Sequence, residues 1–411
     1  MKPTVKIGSL LLAVVMACSA IFASGCSFNK EWSYKTSDKE LAIGVYIYCL
    51  DLAFQQGQTL AKKLDDYDAT NDKWFDLEIT DDDGNTAVAR QWMKDKAQEM
   101  CLEFLAVEKA LKDEGASPDE ATLTANKQES TTYWNVGPYA QYGQIMPMSK
   151  SLEPYGISYE SFEYCTAVHS ANYSALFDAV YGAGGSQEVT DEELSKFFTE
   201  KYADYSYIPV QLYESTTDDD GQQTNAALSD DKIKELTDEL EDYVSDINGG
   251  KSIDDVDKAY TEKHELAQSA MVSNVEQLES FSAGDDLKTA FEKLDTGKAT
   301  TVKVGEGDTA MLYLLYKKDI NETAKTYFES ASNRATVLSA MKTDDFKKYV
   351  EGLAKELDYD KNGAVDGYDP KMFFVAEQPT TAAPETTVAE DAADDAADDA
   401  QTEEEATTSA E

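Results

Sequence analysis

The stretch 287–320, LKTAFEKLDTGKATTVKVGEGDTAMLYLLYKKDI, decides how the chain is read. Leu287, Ala290, Phe291 and Leu294 recur at helical spacing, and Asp295-Thr296-Gly297 supplies a turn. Thr300–Val304 and Ala310–Tyr316 are short, apolar and rich in β-branched and aromatic residues, as strands are. Working outward, INGGKSIDDVDKAY at 247–260 closes one helix on Gly249-Gly250 and opens another at Ile253–Val256. The closed helix carries Ile233, Leu236, Leu240, Val244 and Ile247 on one face. Before it, Tyr205–Tyr213 has the period of a strand. Further upstream, Thr190 and Glu193 stand three apart as in a capping box, and Phe197, Phe198 and Tyr202 continue that helix.

The order strand, helix, short helix, helix, turn, strand, strand resembles a parvulin-type peptidyl-prolyl isomerase domain, with the two quoted pieces carrying the likeness. The capped helix at 190 is similar to the one that leads into this domain in the PrsA and SurA foldases. The resemblance implies an α+β fold, in which a discontinuous helical SurA-N-like chaperone domain is interrupted by an inserted parvulin-like α/β domain. It also implies a pair of histidines, one on the first strand and one on the last, facing each other beneath a small apolar proline pocket. Here the first strand reads Ile208-Pro209-Val210-Gln211-Leu212 and the last Met311-Leu312-Tyr313-Leu314-Leu315-Tyr316. Neither holds a histidine, Tyr313 falls where the second would be, and the domain's histidine is His264, in Glu262-Lys263-His264-Glu265. An isomerase must lower a rotation barrier of about 18–20 kcal/mol. These strands offer no matching residue set, so the domain reads as a parvulin fold kept for binding or spacing. Tyr313 and Gln211 are the candidates should a different kind of pocket catalyse.

The chain has 411 residues, enough for two or three domains, and its 80 acidic against 36 basic side chains give a formal net charge of −44. Such a charge excludes nucleic acid and anionic membrane surfaces as electrostatic partners. Lys2 and Lys6 precede an apolar run over 10–23 that ends in Ala23-Ser24-Gly25-Cys26, the layout of a secretory leader. Its Gly-Cys end resembles a bacterial lipobox, which implies a lipid on Cys26 and residence on the extracytoplasmic face of the cell membrane. Two acyl chains suffice for stable anchoring. Residues 1–26 then form the leader and 27–36 a polar tether. Cys49, Cys101 and Cys165 lie in apolar helical contexts with no metal spacing, and read as buried thiols, a disulfide between two of them being the alternative.

A helical chaperone region is expected over 37–203, with Ser37 and Glu40 capping its first helix, an acidic loop at Asp66–Asp83 and a long helix from Ala87 to Glu114. From Tyr133 to Met148 aromatic residues and methionines alternate with Gly, Pro and Gln, an adaptable apolar composition suited to holding unfolded peptides. Tyr139, Tyr142, Met146 and Met148 are the candidate contact residues. YGISYESFEYCTAVHSANYSALFDAVYG (155–182) forms one more helix, with His169 in a structural place. The parvulin-like domain takes 204–320, and a helix in 321–376, from Thr323 to Glu356, returns to the N-terminal helices. Residues 377–411, Thr, Ala, Pro, Asp and Glu with no basic side chain, compose a disordered acidic tail.

One further motif lies at 358–369. Asp358, Asp360 and Asn362 take the first, third and fifth positions of a calcium loop, Gly363 the sixth, Asp366 the ninth and Asp369 the twelfth. Apart from that calcium, no cofactor is implied. There is no nucleophile–histidine–acid pattern, phosphate loop or zinc spacing. The function expected is that of a membrane-anchored chaperone for unfolded or nascent secreted proteins, without isomerase activity. An isomerase with an unusual site, and a solute-binding or scaffold lipoprotein, are the alternatives.

Overall fold

The computed structural model describes residues 31–217 and 223–377; the leader, Cys26 and the tail from 378 onward lie outside the described residues. The first element is strand β1 (Trp32–Lys35), which turns through Ser37 into β2 (Glu40–Ala42). Residues 32–35 of the expected tether are thus a strand, and Ser37 caps no helix. Ser33 and Tyr34 are buried, the Ser33 hydroxyl donates to the Leu41 carbonyl at 3.2 Å, and Glu40 is a strand residue. Helix α1 (Ile43–Ala61) starts after them without a side-chain cap.

The acidic loop holds a small hairpin, β3 (Glu78–Thr80) with β4 (Thr86–Val88), and a 3-10 turn that buries Trp74 and Phe75. Helix α2 (Ala89–Asp113) packs along α1, close enough that a Cβ on Gly57 would fall 2.5 Å from the Met93 methyl. Helix α3 (Glu120–Asn135) begins at Asp119, whose carboxylate accepts from the Thr122 amide. Then come α4 (Met148–Leu152) and α5 (Tyr159–Glu163), which runs through a π turn at Tyr164–Val168 into α6 (His169–Tyr181). Helix α7 (Asp191–Lys201) carries both arms of the Thr190–Glu193 capping box.

The chain enters the sheet module directly from α7. Strand β5 (Tyr202–Gln211) is followed by a polar hairpin, β6 (Tyr213–Thr217) with β7 (Gln223–Ala227). Next are α8 (Asp230–Asn248), α9 (Ile253–Lys263), strand β8 (Val272–Gln277), α10 (Asp285–Lys293), β9 (Ala299–Val304) and β10 (Met311–Lys317). The four longer strands form an antiparallel sheet in the order β8-β5-β10-β9. Strand alternation divides it into two faces. Ile208, Val210, Leu212, Leu312 and Leu314 pack against α8 and α9, whereas Tyr205 and Leu315 meet Leu287 and Phe291 of α10.

Past the sheet the expected single helix is two, α11 (Ile320–Tyr327) and α12 (Ala331–Lys355), because Ser330 caps the second by accepting from the Asn333 amide. Helix α12 places Val337, Leu338, Phe346 and Val350 against Val107 and Leu111 of α2, Leu176 and Val180 of α6, and Leu194 and Phe198 of α7. Finally β11 (Asp360–Lys361) pairs with β1, so β1 is the middle strand of a three-stranded sheet. Among the described residues no helix is long and apolar enough to cross a membrane.

Candidate functional site

Helix α3 ends at Asn135, and the chain then closes on itself within a few residues. The Met146 amide donates to the Val136 carbonyl at 2.8 Å, making a neck. Gly137 sits in that neck at φ 109°, and a Cβ there would lie 2.2 Å from the Met146 carbonyl oxygen. Only glycine fits. Beyond the neck, a 3-10 turn at Ala140–Tyr142 ends on Gly143 at φ 75°. The result is an Ω-loop whose ends meet and whose tip stands in solvent.

Its side chains are unusually bare. Tyr139 is 52 % exposed, Tyr142 73 %, Ile145 73 % and Met146 60 %. No charged side chain occurs between Glu129 and Lys150, in a chain that is 28 % charged. Three of the four predicted contact residues are therefore gathered on one tip. Met148 is not among them: it begins α4 and packs, half-buried, against the core to which Trp134 and Leu152 belong. Ile145 takes its place, from within the same Tyr133–Met148 segment.

The sheet module presents a second candidate surface. Tyr313 on β10 lies opposite Pro209 and Val302, and its ring meets Tyr207 edge-on, with centroids 5.8 Å apart. Two tyrosines thus face each other from β5 and β10. Tyr207 was not expected in this role. Burial raises the Tyr207 pKa above its usual value, so the phenol stays protonated and offers no base near neutrality. Gln211, at the exposed end of β5, turns its amide to the Tyr213 hydroxyl at 3.2 Å.

Beside the pair, Phe281 stacks on Tyr205 at 4.3 Å, and Phe291 is buried beneath them. Tyr205 donates to Glu276 at 2.5 Å, and the same carboxylate oxygen accepts from the Ser282 amide and hydroxyl, fastening the segment before α10 onto the sheet. Neither described histidine faces this surface. His264 shares a 2.9 Å hydrogen bond with Glu239 on the α8–α9 side. His169 lies 4.0 Å from the Phe104 ring, and burial lowers its pKa to about 4.

Four residues of the 358–369 motif each have a separate partner. Asp360 faces Lys35 at 3.9 Å, Asp366 receives Lys361 at 2.5 Å, and Asp369 receives Arg90 at 2.7 Å. The Asn362 side chain accepts from the Ala364 amide at 3.0 Å. Among the described residues no group of three or more His, Cys, Asp or Glu is placed to hold a metal ion. Calcium needs six to eight oxygens at about 2.3–2.6 Å. Cys49, Cys101 and Cys165 are free and buried.

No family model matches the chain, and no curated protein matches it. Among solved structures, it aligns with PrsA from Bacillus subtilis at 17% identity, over 69% of this chain and 94% of that one, with a TM-score of 0.25. It also aligns with the foldase protein PrsA from Streptococcus pneumoniae str. Canada MDR_19A at 14% identity, over 73% of this chain and 100% of that one, with a TM-score of 0.27.

Proposed function

We propose that this protein is an extracytoplasmic chaperone, held at the membrane by a lipid on Cys26, that binds unfolded secreted polypeptides without isomerising their prolyl bonds. The observation that carries the reading is the Ω-loop. Exposed apolar side chains at Tyr139, Tyr142, Ile145 and Met146 cost free energy in water unless a partner covers them. Their neck is closed by backbone, so the loop presents them without unfolding. Aromatic and thioether side chains adapt to many apolar sequences, which is what a holder of unfolded chains requires.

The Tyr207–Tyr313 pair supports the absence of isomerase activity, since neither ring is an imidazole and burial keeps the Tyr207 phenol protonated. The same pair, set on the two strands where the family places its histidines, favours a second reading, an isomerase with an unusual site. One experiment separates the two. The chain from Ser27 onward is assayed for suppression of aggregation of an unfolded client and for turnover of a proline peptide. Suppression that falls in the triple variant Tyr142→Ser/Ile145→Ser/Met146→Ser, with no turnover, is expected. Turnover lost in Tyr313→Ala would establish the isomerase, and absence of both activities would move the solute-binding or scaffold reading forward.

A further inference from the structure

We propose that the polypeptides taken up by the Ω-loop are cationic: apolar segments flanked by lysine or arginine. This rests on the chaperone reading and narrows it to a client class. Of the formal −44, residues 378–411 contribute eleven acidic side chains and residues 1–30 three lysines, which leaves −36 on residues 31–377. The charge therefore belongs to the folded body and is no property of the tail alone.

The loop is an uncharged island within that field. Between Glu129 and Lys150 nothing is charged, while the surrounding stretch 120–163 has Glu120, Glu129, Glu153, Glu160 and Glu163 against Lys127 and Lys150. Lys127 is itself engaged, 3.7 Å from Glu163. A segment whose centre is apolar and whose flanks are basic places its centre on Tyr139, Tyr142, Ile145 and Met146 and its flanks in the negative field of the acidic body. One with acidic flanks brings like charges together, which costs affinity and slows encounter. The contribution is electrostatic at an exposed surface, so salt must weaken it, with a screening length of about 10 Å at 0.1 M.

The test uses the chain from Ser27 onward, which keeps every described residue. Two coumarin-labelled peptides share one apolar centre and carry either four lysines or four glutamates on each side. At low salt the lysine peptide should bind about tenfold or more tightly, and 0.5 M salt should shrink that ratio to about threefold or less. In the triple variant Tyr142→Ser/Ile145→Ser/Met146→Ser, the lysine peptide should lose about tenfold in affinity. Equal affinity for both peptides overturns the inference while leaving the chaperone reading in place. Unchanged lysine-peptide binding by the variant also overturns it, because the attraction is then to acidic surface and not to the loop. If neither peptide binds and aggregation is not suppressed, the chaperone reading itself fails.

Discussion

Replacing Glu103 with glutamine should stabilise the protein at pH 8 and leave it nearly unchanged at pH 5. Glu103 lies on α2, half-buried, one turn from Glu99 and facing Glu351 of α12. Burial pushes its carboxyl up from 4.5 to about 7; the neighbouring carboxylates add to the rise, and Lys96 and Lys347 oppose it. The folded state therefore holds this proton more tightly than the unfolded chain does. For a carboxyl shifted in this direction, stability is greatest below the unfolded value and falls as pH climbs from about 4.5 to about 7. Converted at about 1.36 kcal/mol per pH unit, the shift sets a ceiling of roughly 3 kcal/mol, and partial solvation of the side chain reduces it to roughly 1–2 kcal/mol. Urea unfolding of the parent and Glu103→Gln at pH 5 and pH 8 gives four free energies. Their double difference cancels every other titrating group common to both proteins. A gain confined to pH 8 is expected. An equal gain at both pH values, or a loss at pH 8, would refute the account of a carboxylate trapped between two helices.

Two further outcomes follow from the same geometry. Thr190→Ala removes the hydroxyl arm of the capping box on α7, leaving the backbone N–H of residue 190 to Glu193, and should cost about 1 kcal/mol in urea unfolding, and Thr190→Ser should retain most of that stability. Calcium at millimolar concentration should leave the melting temperature unchanged, because Asp366 and Asp369 are already held by Lys361 and Arg90; a dose-dependent rise would show that the loop rearranges to ligate.

What could be read from the sequence was what depends on near neighbours. The capping box at Thr190, the Gly249-Gly250 stop and the apolar face of α8 each lie within a few residues, and all three are present. Strand β1 was missed because four residues are too few to show a period: it is held between the short β2 and Asp360 and Lys361, from the far end of the chain. Strand β8 was missed because Val272-Ser273-Asn274-Val275-Glu276-Gln277 is mostly polar and exposed at its start, an edge that takes its shape from β5. The facing pair needed the register as well. Tyr207 and Tyr313 become neighbours only through the pairing of Leu315 with Tyr207 and of Tyr313 with Pro209. Met146 and Met148 are two residues apart and alike in composition, yet one is at a loop tip and the other at a helix start. Local pattern recognises an adaptable apolar segment, but the neck at Gly137 decides which of its side chains reach water.

The central position of β1 has a consequence for the order of assembly. A chain synthesised from its N-terminus produces Trp32–Lys35 almost at once, but the partner strand Asp360–Lys361 appears more than three hundred residues later. The cluster that joins α2, α6 and α7 likewise waits for α12. The sheet module needs only Tyr202–Lys317, one unbroken length of chain, and can close before either is complete. A contiguous module with shorter-range contacts forms early, and the body around it, built from both ends, forms last. The nascent protein must therefore keep Val107 and Leu111 of α2 from straying until α12 is made, so its own folding faces the same problem of premature apolar exposure that it is proposed to solve for others.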